Sequence, residues 1–349
     1  MLHEFFIMKS VLILQNALAN YRRPVIDELG KYYKITVIHA GQAPVCDTSS
    51  NYEINVSQVK AGPFYLQNFA QIFKIRNQFD VVISMFDLRW PAYILPFLID
   101  RHFKWILWGH RYSDSWVTNS IRDLLMRSAD RILLYGDEEI SRMVLRGINP
   151  SKIVIAPNTI HVPNHADLSN EDKSSLLFVG RLQPRKRIDL IIRAFSELQG
   201  SISSNIVLDI VGGGLLDTKL HQLAVDLNIE QKVFFHGPIR DNTKLANIFA
   251  RAFAYVSPGP VGLGVLHSFA YGVPVVTLQE GRHGPEFHNL VHDFNSLVLM
   301  NEAELAPALA WLCNNPELTR VLGRNAYLHY SQRRTLDHMI AGFRKAIEE

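Results

Sequence analysis

What most constrains this chain is a rhythm: short apolar runs alternate with segments of helical period, stop, and then start again. Residues 11–14, 35–38, 81–83, 105–107, 132–134 and 153–155 are each too short for a buried helix, and they are continuously apolar rather than alternating. Runs of that kind read as strands buried on both faces, which belong to parallel sheets covered by helices. Between them lie helical segments such as 137–146, which sets Ile140, Met143 and Val144 on one face.

The rhythm breaks at residues 156–163, APNTIHVP. That stretch and the polar residues up to 175 are rich in Pro, Asn, Asp and Ser and have no apolar period, so they read as a linker between domains. Strands are then expected at 176–179, 206–211, 233–235, 254–256 and 275–277. Ile188, Ile191, Ile192, Phe195 and Leu198 make a helical stripe, and 302–313 and 317–347 read as helices. At 349 residues the chain is too long for one ordinary core. Two doubly wound α/β domains in tandem are therefore expected. In such sheets ligands bind beyond the carboxyl ends of the strands, so chemistry is sought in the loops there.

Composition narrows the partners. A net charge of +3 is too mild for nucleic acid, which calls for a concentrated basic stripe. It suits phosphate-bearing small molecules or an anionic membrane surface. Two cysteines, Cys46 and Cys313, rule out a disulfide framework and a Cys-rich metal site, which points to a reducing cytoplasm. Residues 5–8 followed by Lys9 give a weak signal-peptide reading, but 11–14 reads better as the first strand, and Met8 is an alternative start. No run approaches the ~20 apolar residues of a membrane-spanning helix, so any membrane contact is expected to be peripheral.

Two stretches carry chemistry. In 178–188, FVGRLQPRKRI, a strand ends at Gly180, Arg181 follows at its carboxyl end, and Arg185, Lys186 and Arg187 crowd the start of the next helix. Three cations at a positive helix end repel one another, and a bound diphosphate relieves that repulsion. The competing reading is a solvated basic turn. In 257–276, SPGPVGLGVLHSFAYGVPVV, a strand feeds a glycine-rich loop, a helix from about Gly264, and Gly272 at the helix end. Gly259, Gly262 and Gly264 allow the backbone close to a ligand. The spacing is not that of a dinucleotide fingerprint.

These two stretches in this order resemble the retaining glycosyltransferases of family 4, the glycosyl transferases group 1, as do 210–214 (IVGGG), 233–237 (VFFHG) and 157–160 (PNTI). The resemblance is specific over 150–300 and looser before it. It implies a GT-B fold: two Rossmann-like domains facing across a cleft, an acceptor-binding domain over 1–163, a nucleotide-sugar-binding domain over 164–330, and a terminal helix, 331–349, crossing back. It also implies that Gly180, Arg181 and Lys186 hold the donor diphosphate while Gly262, Leu263 and Gly264 cover it. His110, after the strand at 105–107, stands where the family often has a histidine near the transferred sugar; a structural histidine is the competing reading. The family's paired donor-loop glutamates are replaced by Gly259 and His267. His267 is then the candidate for the ribose and Glu286 the candidate replacement carboxylate. The variant resembles bacterial surface-polysaccharide enzymes (lipopolysaccharide, capsule or exopolysaccharide). It implies hexosyl transfer from a nucleotide sugar to a glycan or lipid-linked oligosaccharide, with retention, in the cytoplasm or at the inner membrane face.

No metal site is expected, since His283, His288 and His292 lack metal-helix spacing with a carboxylate, and no cofactor beyond the donor is implied. Tyr21, Arg22 and Arg23 either touch acceptor or phosphate or form a solvated loop. Arg111, Tyr112, Ser113 and Asp114 are candidates for the acceptor side. Arg122, Arg127 and Arg131 with Trp116, Leu124, Leu125 and Met126 form either a basic face for anionic lipid or a core helix with exposed arginines. Other functions weighed are a sugar-nucleotide epimerase, a phosphorylase, and a non-catalytic subunit that lost the glutamates.

Overall fold

The structure is a computed structural model that describes residues 8–41, 51–99, 101–109, 112–163 and 165–349. Contacts divide the chain into two units, Met1–His161 with Leu336–Glu349, and Val162–Thr335.

The first unit begins with β1 (Ser10–Gln15), α1 (Arg23–Leu29), β2 (Lys34–His39) and β3 (Asn51–Asn55). A small antiparallel hairpin, β4 (Val59–Ala61) and β5 (Phe64–Leu66), leads to α2 (Phe69–Ile75). Then come β6 (Val81–Met85), β7 (Lys104–Trp108), α3 (Trp116–Ser128), β8 (Arg131–Leu134), α4 (Ile140–Leu145) and β9 (Ile153–Ile155). Among the described residues, seven strands form one sheet in the order β3-β2-β1-β6-β7-β8-β9, and every pairing in it is parallel. The continuous apolar run of β1 has its reason here. Leu12 and Leu14 enter one core and Val11 and Ile13 the other, because helices cover both faces.

The second unit runs β10 (Ser175–Val179), α5 (Ile188–Glu197), β11 (Val207–Val211), α6 (Asp217–Asp226), β12 (Val233–Gly237) and α7 (Asn242–Ala250). It continues with β13 (Ala252–Val256), α8 (Gly264–Ala270), β14 (Val275–Leu278), β15 (Ser296–Leu299), α9 (Leu305–Asn314) and α10 (Pro316–Arg333). Its parallel sheet has the order β12-β11-β10-β13-β14-β15. The winding direction therefore reverses between β10 and β13, which makes the carboxyl ends of those two strands a topological switch point.

Each expected strand is present, while β3, the hairpin and β15 add to them. The segment 317–347, expected to be one helical stretch, is two helices: α10 ends at Arg333 and α11 (Leu336–Glu348) begins three residues later. α10 buries Leu322, Ala326 and Tyr330 in the second unit. α11 buries Met339, Ile340, Phe343, Ala346 and Ile347 in the first. One straight helix cannot present its apolar face to two cores.

Candidate functional site

Three loops leave the carboxyl ends of the neighbouring strands β10, β13 and β14 and pack on one another. Glycine makes this possible at Gly259, where a Cβ would lie 2.1 Å from the Arg185 carbonyl oxygen and 2.8 Å from the Lys186 carbonyl carbon. These are main-chain atoms that cannot swing aside, so any side chain at 259 forces the loops apart. The position that holds a glutamate in the family pattern is here a contact between two backbones.

Arg181 follows the β10 strand and is exposed; its carbonyl accepts from the Gln183 N–H, but its side chain has no hydrogen bond or ion pair with any described residue. Lys186 closes a 3-10 turn, Pro184–Lys186, and its Nζ donates to the Pro260 carbonyl at 2.5 Å. Burial holds the Lys186 ammonium below the usual lysine range, Arg185 adds to that, and Glu286 opposes it. The crowding of cations is relieved in part from within the protein. Arg187, in a left-handed conformation ahead of α5, places Nη1 2.9 Å from Glu302 Oε1, so the expectation that all three cations await an anion is corrected for Arg187.

The glycine loop lies alongside. The N–H groups of Gly262 and Leu263 have no acceptor among the described residues, and Gly264 opens α8. Gly264 also passes close to Tyr255, whose Oη would be 2.4 Å from a Cβ there. Gly180 donates to the Val211 carbonyl, and Leu182 to Gly213, which ties the Arg181 segment to the IVGGG loop.

Glu286 sits in a 3-10 turn, Pro285–Asn289, and is 4% exposed. A Cβ at Gly284 would lie 2.7 Å from its Oε2, and one at Gly262 3.9 Å away, so two residues without side chains border the carboxylate. His267 is on α8 with its ring against Phe249 and Tyr271, centroids 5.0 and 5.7 Å apart. Burial pushes it down to about 4, so it is a neutral imidazole at pH 7.

Sequence reasoning passed over His283, seeing in it only a poor metal ligand. In the structure it is buried, its Nδ1 accepts from the Val261 N–H at 3.2 Å, and its ring stacks on Phe287. The signal was its place in the loop after a strand end, shared with Glu286.

In the first unit the candidates fare differently. His110 and Arg111 lie outside the described residues. Tyr112 and Ser113 are bound to α3, through Asp123 and Asn119. The loop carrying Tyr21, Arg22 and Arg23 is not simply solvated. Arg22 is 7% exposed, stacked near Trp108 and Tyr135 and donating to the Tyr135 hydroxyl. Arg23 pairs with Glu53. The expected basic face on α3 divides: Leu125 and Met126 enter the core, whereas Trp116, Val117, Ile121 and Leu124 are exposed.

Two doubly wound domains, one with cations and bare amides at its switch point, define the GT-B class of fold. Residues 164–329 match the family described as glycosyl transferases group 1. A similar relative is D-inositol 3-phosphate glycosyltransferase 2 of Catenulispora acidiphila, 31% identical over 232 residues, which are 59% of this chain and 53% of the relative. The chain spans about half the length of the curated relatives it matches. Among solved structures, a glycosyltransferase from Rickettsia africae has a TM-score of 0.78 at 14% identity over 98% of each chain. Anabaena HepE, solved in complex with UDP, has a TM-score of 0.71 at 16% identity over 97% of this chain and 99% of that one. At such identities the likeness is one of fold.

Proposed function

We propose that the protein is a retaining, nucleotide-sugar-dependent glycosyltransferase whose second unit grips the donor diphosphate. The observation that carries this reading is Arg181, an exposed cation whose side chain has no partner among the described residues, at the β10–β13 switch point, beside Lys186 and the N–H groups of Gly262 and Leu263, which lack an acceptor among those residues. A pyrophosphate supplies the acceptor oxygens that these groups lack.

In this reading the acceptor hydroxyl oxygen bonds the anomeric carbon as the bond from that carbon to the donor phosphate oxygen breaks, and the hydroxyl proton passes to the leaving phosphate. Arg181 and Lys186 stabilise the charge that grows there, a preorganised term that counts most in the transition state. They meet the diphosphate charge without a metal ion. Glu286 balances Lys186 and offers its carboxylate between Gly262 and Gly284 to a sugar hydroxyl. His267, neutral, is the hydrogen-bonding candidate for the ribose, and His110 stands for the acceptor side.

The acceptor, on this reading, is a lipid-linked glycan of surface polysaccharide synthesis, met at the inner face of the membrane. α3 supports it. Trp116, Val117, Ile121 and Leu124 form an exposed stripe, while the polar Asn119 and Asp123 point inward. At its carboxyl end Arg127 bonds the Arg146 carbonyl and Lys152 the carbonyls of Arg127 and Ala129, and neither cation is paired with a carboxylate among the described residues. An apolar stripe flanked by unneutralised cations fits an anionic bilayer. No helix among the described residues is long and apolar enough to cross a membrane.

The test is a thermal-shift panel of UDP, GDP, dTDP and their sugars, since a ligand of the folded state raises the midpoint. Turnover with lipid-linked glycan and with inositol 3-phosphate as acceptors follows. A shift with one nucleotide series and release of nucleotide only when acceptor is present support the reading. A flat panel overturns it, and release without acceptor points to an epimerase or hydrolase.

A further inference from the structure

We infer that His283, as a neutral imidazole, is the pin that holds the glycine loop after β13 against the loop after β14 and so sets the shape of the donor site. The inference rests on the reading of that site given above, but the pin itself is a property of the protein without ligand.

The geometry is reciprocal. His283 Nδ1 accepts from the Val261 N–H at 3.2 Å, and the Val261 carbonyl accepts from the Gly284 N–H at 2.9 Å. The two bonds run in opposite directions between neighbouring residues of two loops, as one rung of a ladder would. Val261 is the residue before Gly262 and Leu263, whose amides are the bare ones, and it follows Pro260, whose carbonyl takes the Lys186 ammonium. Fixing Val261 therefore fixes both groups on either side of it.

Only one ionisation state does this. An Nδ1 that accepts a hydrogen bond carries no proton, so the ring's proton is on Nε2. The main chain of Leu278, Gln279 and Glu280 lies close to the ring and opposes the lowering of its pKa. The loop turns around it through Gly281, whose φ of 135° is open to glycine and strained for other residues. The flat ring is clamped by Phe287, with centroids 4.2 Å apart and planes 22° apart. Protonation would put a hydrogen on Nδ1 facing the Val261 N–H, donor against donor. Burial and the Lys186 ammonium keep the proton off, lowering His283 below the ordinary histidine range. The other charged group nearby is Glu286, and Glu280 and Arg282 of the same loop are exposed. Its contacts make His283 a positioning residue.

The experiment uses the full chain. Hydrogen exchange at the Val261 amide is measured without ligand, for wild type, His283→Phe and His283→Asn. Phenylalanine keeps the ring stack and loses the acceptor, whereas the Asn side-chain oxygen stands in for Nδ1. Losing one such bond should speed Val261 exchange about tenfold in His283→Phe, and His283→Asn should restore most of the protection. Titration with UDP, GDP or dTDP, whichever binds wild type, should show the same order, with the donor KM raised and kcat little changed. If Val261 exchange in folded His283→Phe equals wild type, the pin is overturned. If the exchange depends on His283 but no nucleotide binds, the pin stands and the proposed function falls. Should His283→Phe fail to fold, wild type and His283→Asn carry the test: Val261 must be protected from exchange in wild type at pH 7 and keep most of that protection in His283→Asn, and an unprotected Val261 amide in wild type sinks the inference.

Discussion

At the scale of single residues, the sharpest distinction is between Arg181 and Lys186. The Arg181 side chain has no hydrogen bond or ion pair with any described residue, so Arg181→Ala should leave stability within about 0.5 kcal/mol of wild type. If it grips the leaving diphosphate, the same change should cut turnover about a hundredfold, and lysine there should restore little of it. Lys186→Ala should cost turnover on the same scale and also loosen the Pro260 contact, so its midpoint should drop. Steady-state kinetics beside thermal melts separate the two, and an Arg181→Ala enzyme with wild-type rate removes the phosphate assignment. Histidines set the pH response. Burial pushes His267 down to about 4, and His329 to about 4 with Arg334 and Arg333 adding to the effect. The unfolded chain takes up those protons near the ordinary value of about 6.5, so the stabilising contribution is complete above that pH and is lost as pH falls towards 4. For His267 the shift converts to about 3 kcal/mol as an upper bound. Denaturant midpoints should therefore decline between pH 7 and 4.5, and His267→Phe should flatten part of that slope; an unchanged slope would mean that the imidazole titrates alike in the folded and unfolded chain.

Among the elements, α3 is the one whose pattern runs against its fold. A surface helix normally turns its apolar side inward, yet Trp116 is 77% exposed and Leu124 66%, while Asp123 is buried against Tyr112 and Arg146. Asp123 inside and leucine outside cost less together if the outside is covered in use. Ile121→Glu with Leu124→Glu should abolish sedimentation with vesicles rich in anionic lipid and leave nucleotide binding in the second unit unchanged. Equal sedimentation of variant and wild type would remove the membrane surface from α3. The same helix shows how sequence reading errs. Composition grouped Leu124, Leu125 and Met126 on one face, but at 3.6 residues per turn adjacent residues diverge, and the body of the unit claimed only the last two.

For the molecule as a whole, the chain leaves the first unit after His161, builds the second, and returns at Leu336. α11 completes a core: Trp108 meets Phe343 edge-on at 4.8 Å, and Met339, Ile340, Ala346 and Ile347 are buried with it. Ending the chain after Thr335 should bare that surface, so the first unit should melt earlier or bind a hydrophobic dye while the second keeps its transition; two unshifted transitions would show the helix to be dispensable. Residue order alone determined the strands, their parallel pairing and the cation-bearing and glycine-bearing loops, because buried strands and tight turns are local demands written in adjacent residues. It also marked Glu286 beside those loops. Tertiary structure alone decided that Arg187 is answered by Glu302, that Gly259 must be bare to pass the Lys186 backbone, that Arg22 lies under aromatic rings, and that His283 joins two loops. It decided too that the helical run ending the chain breaks at residues 334–335, where no glycine or proline announces a turn. Such features depend on partners dozens of residues away, and a contact between distant segments leaves no periodicity in either of them.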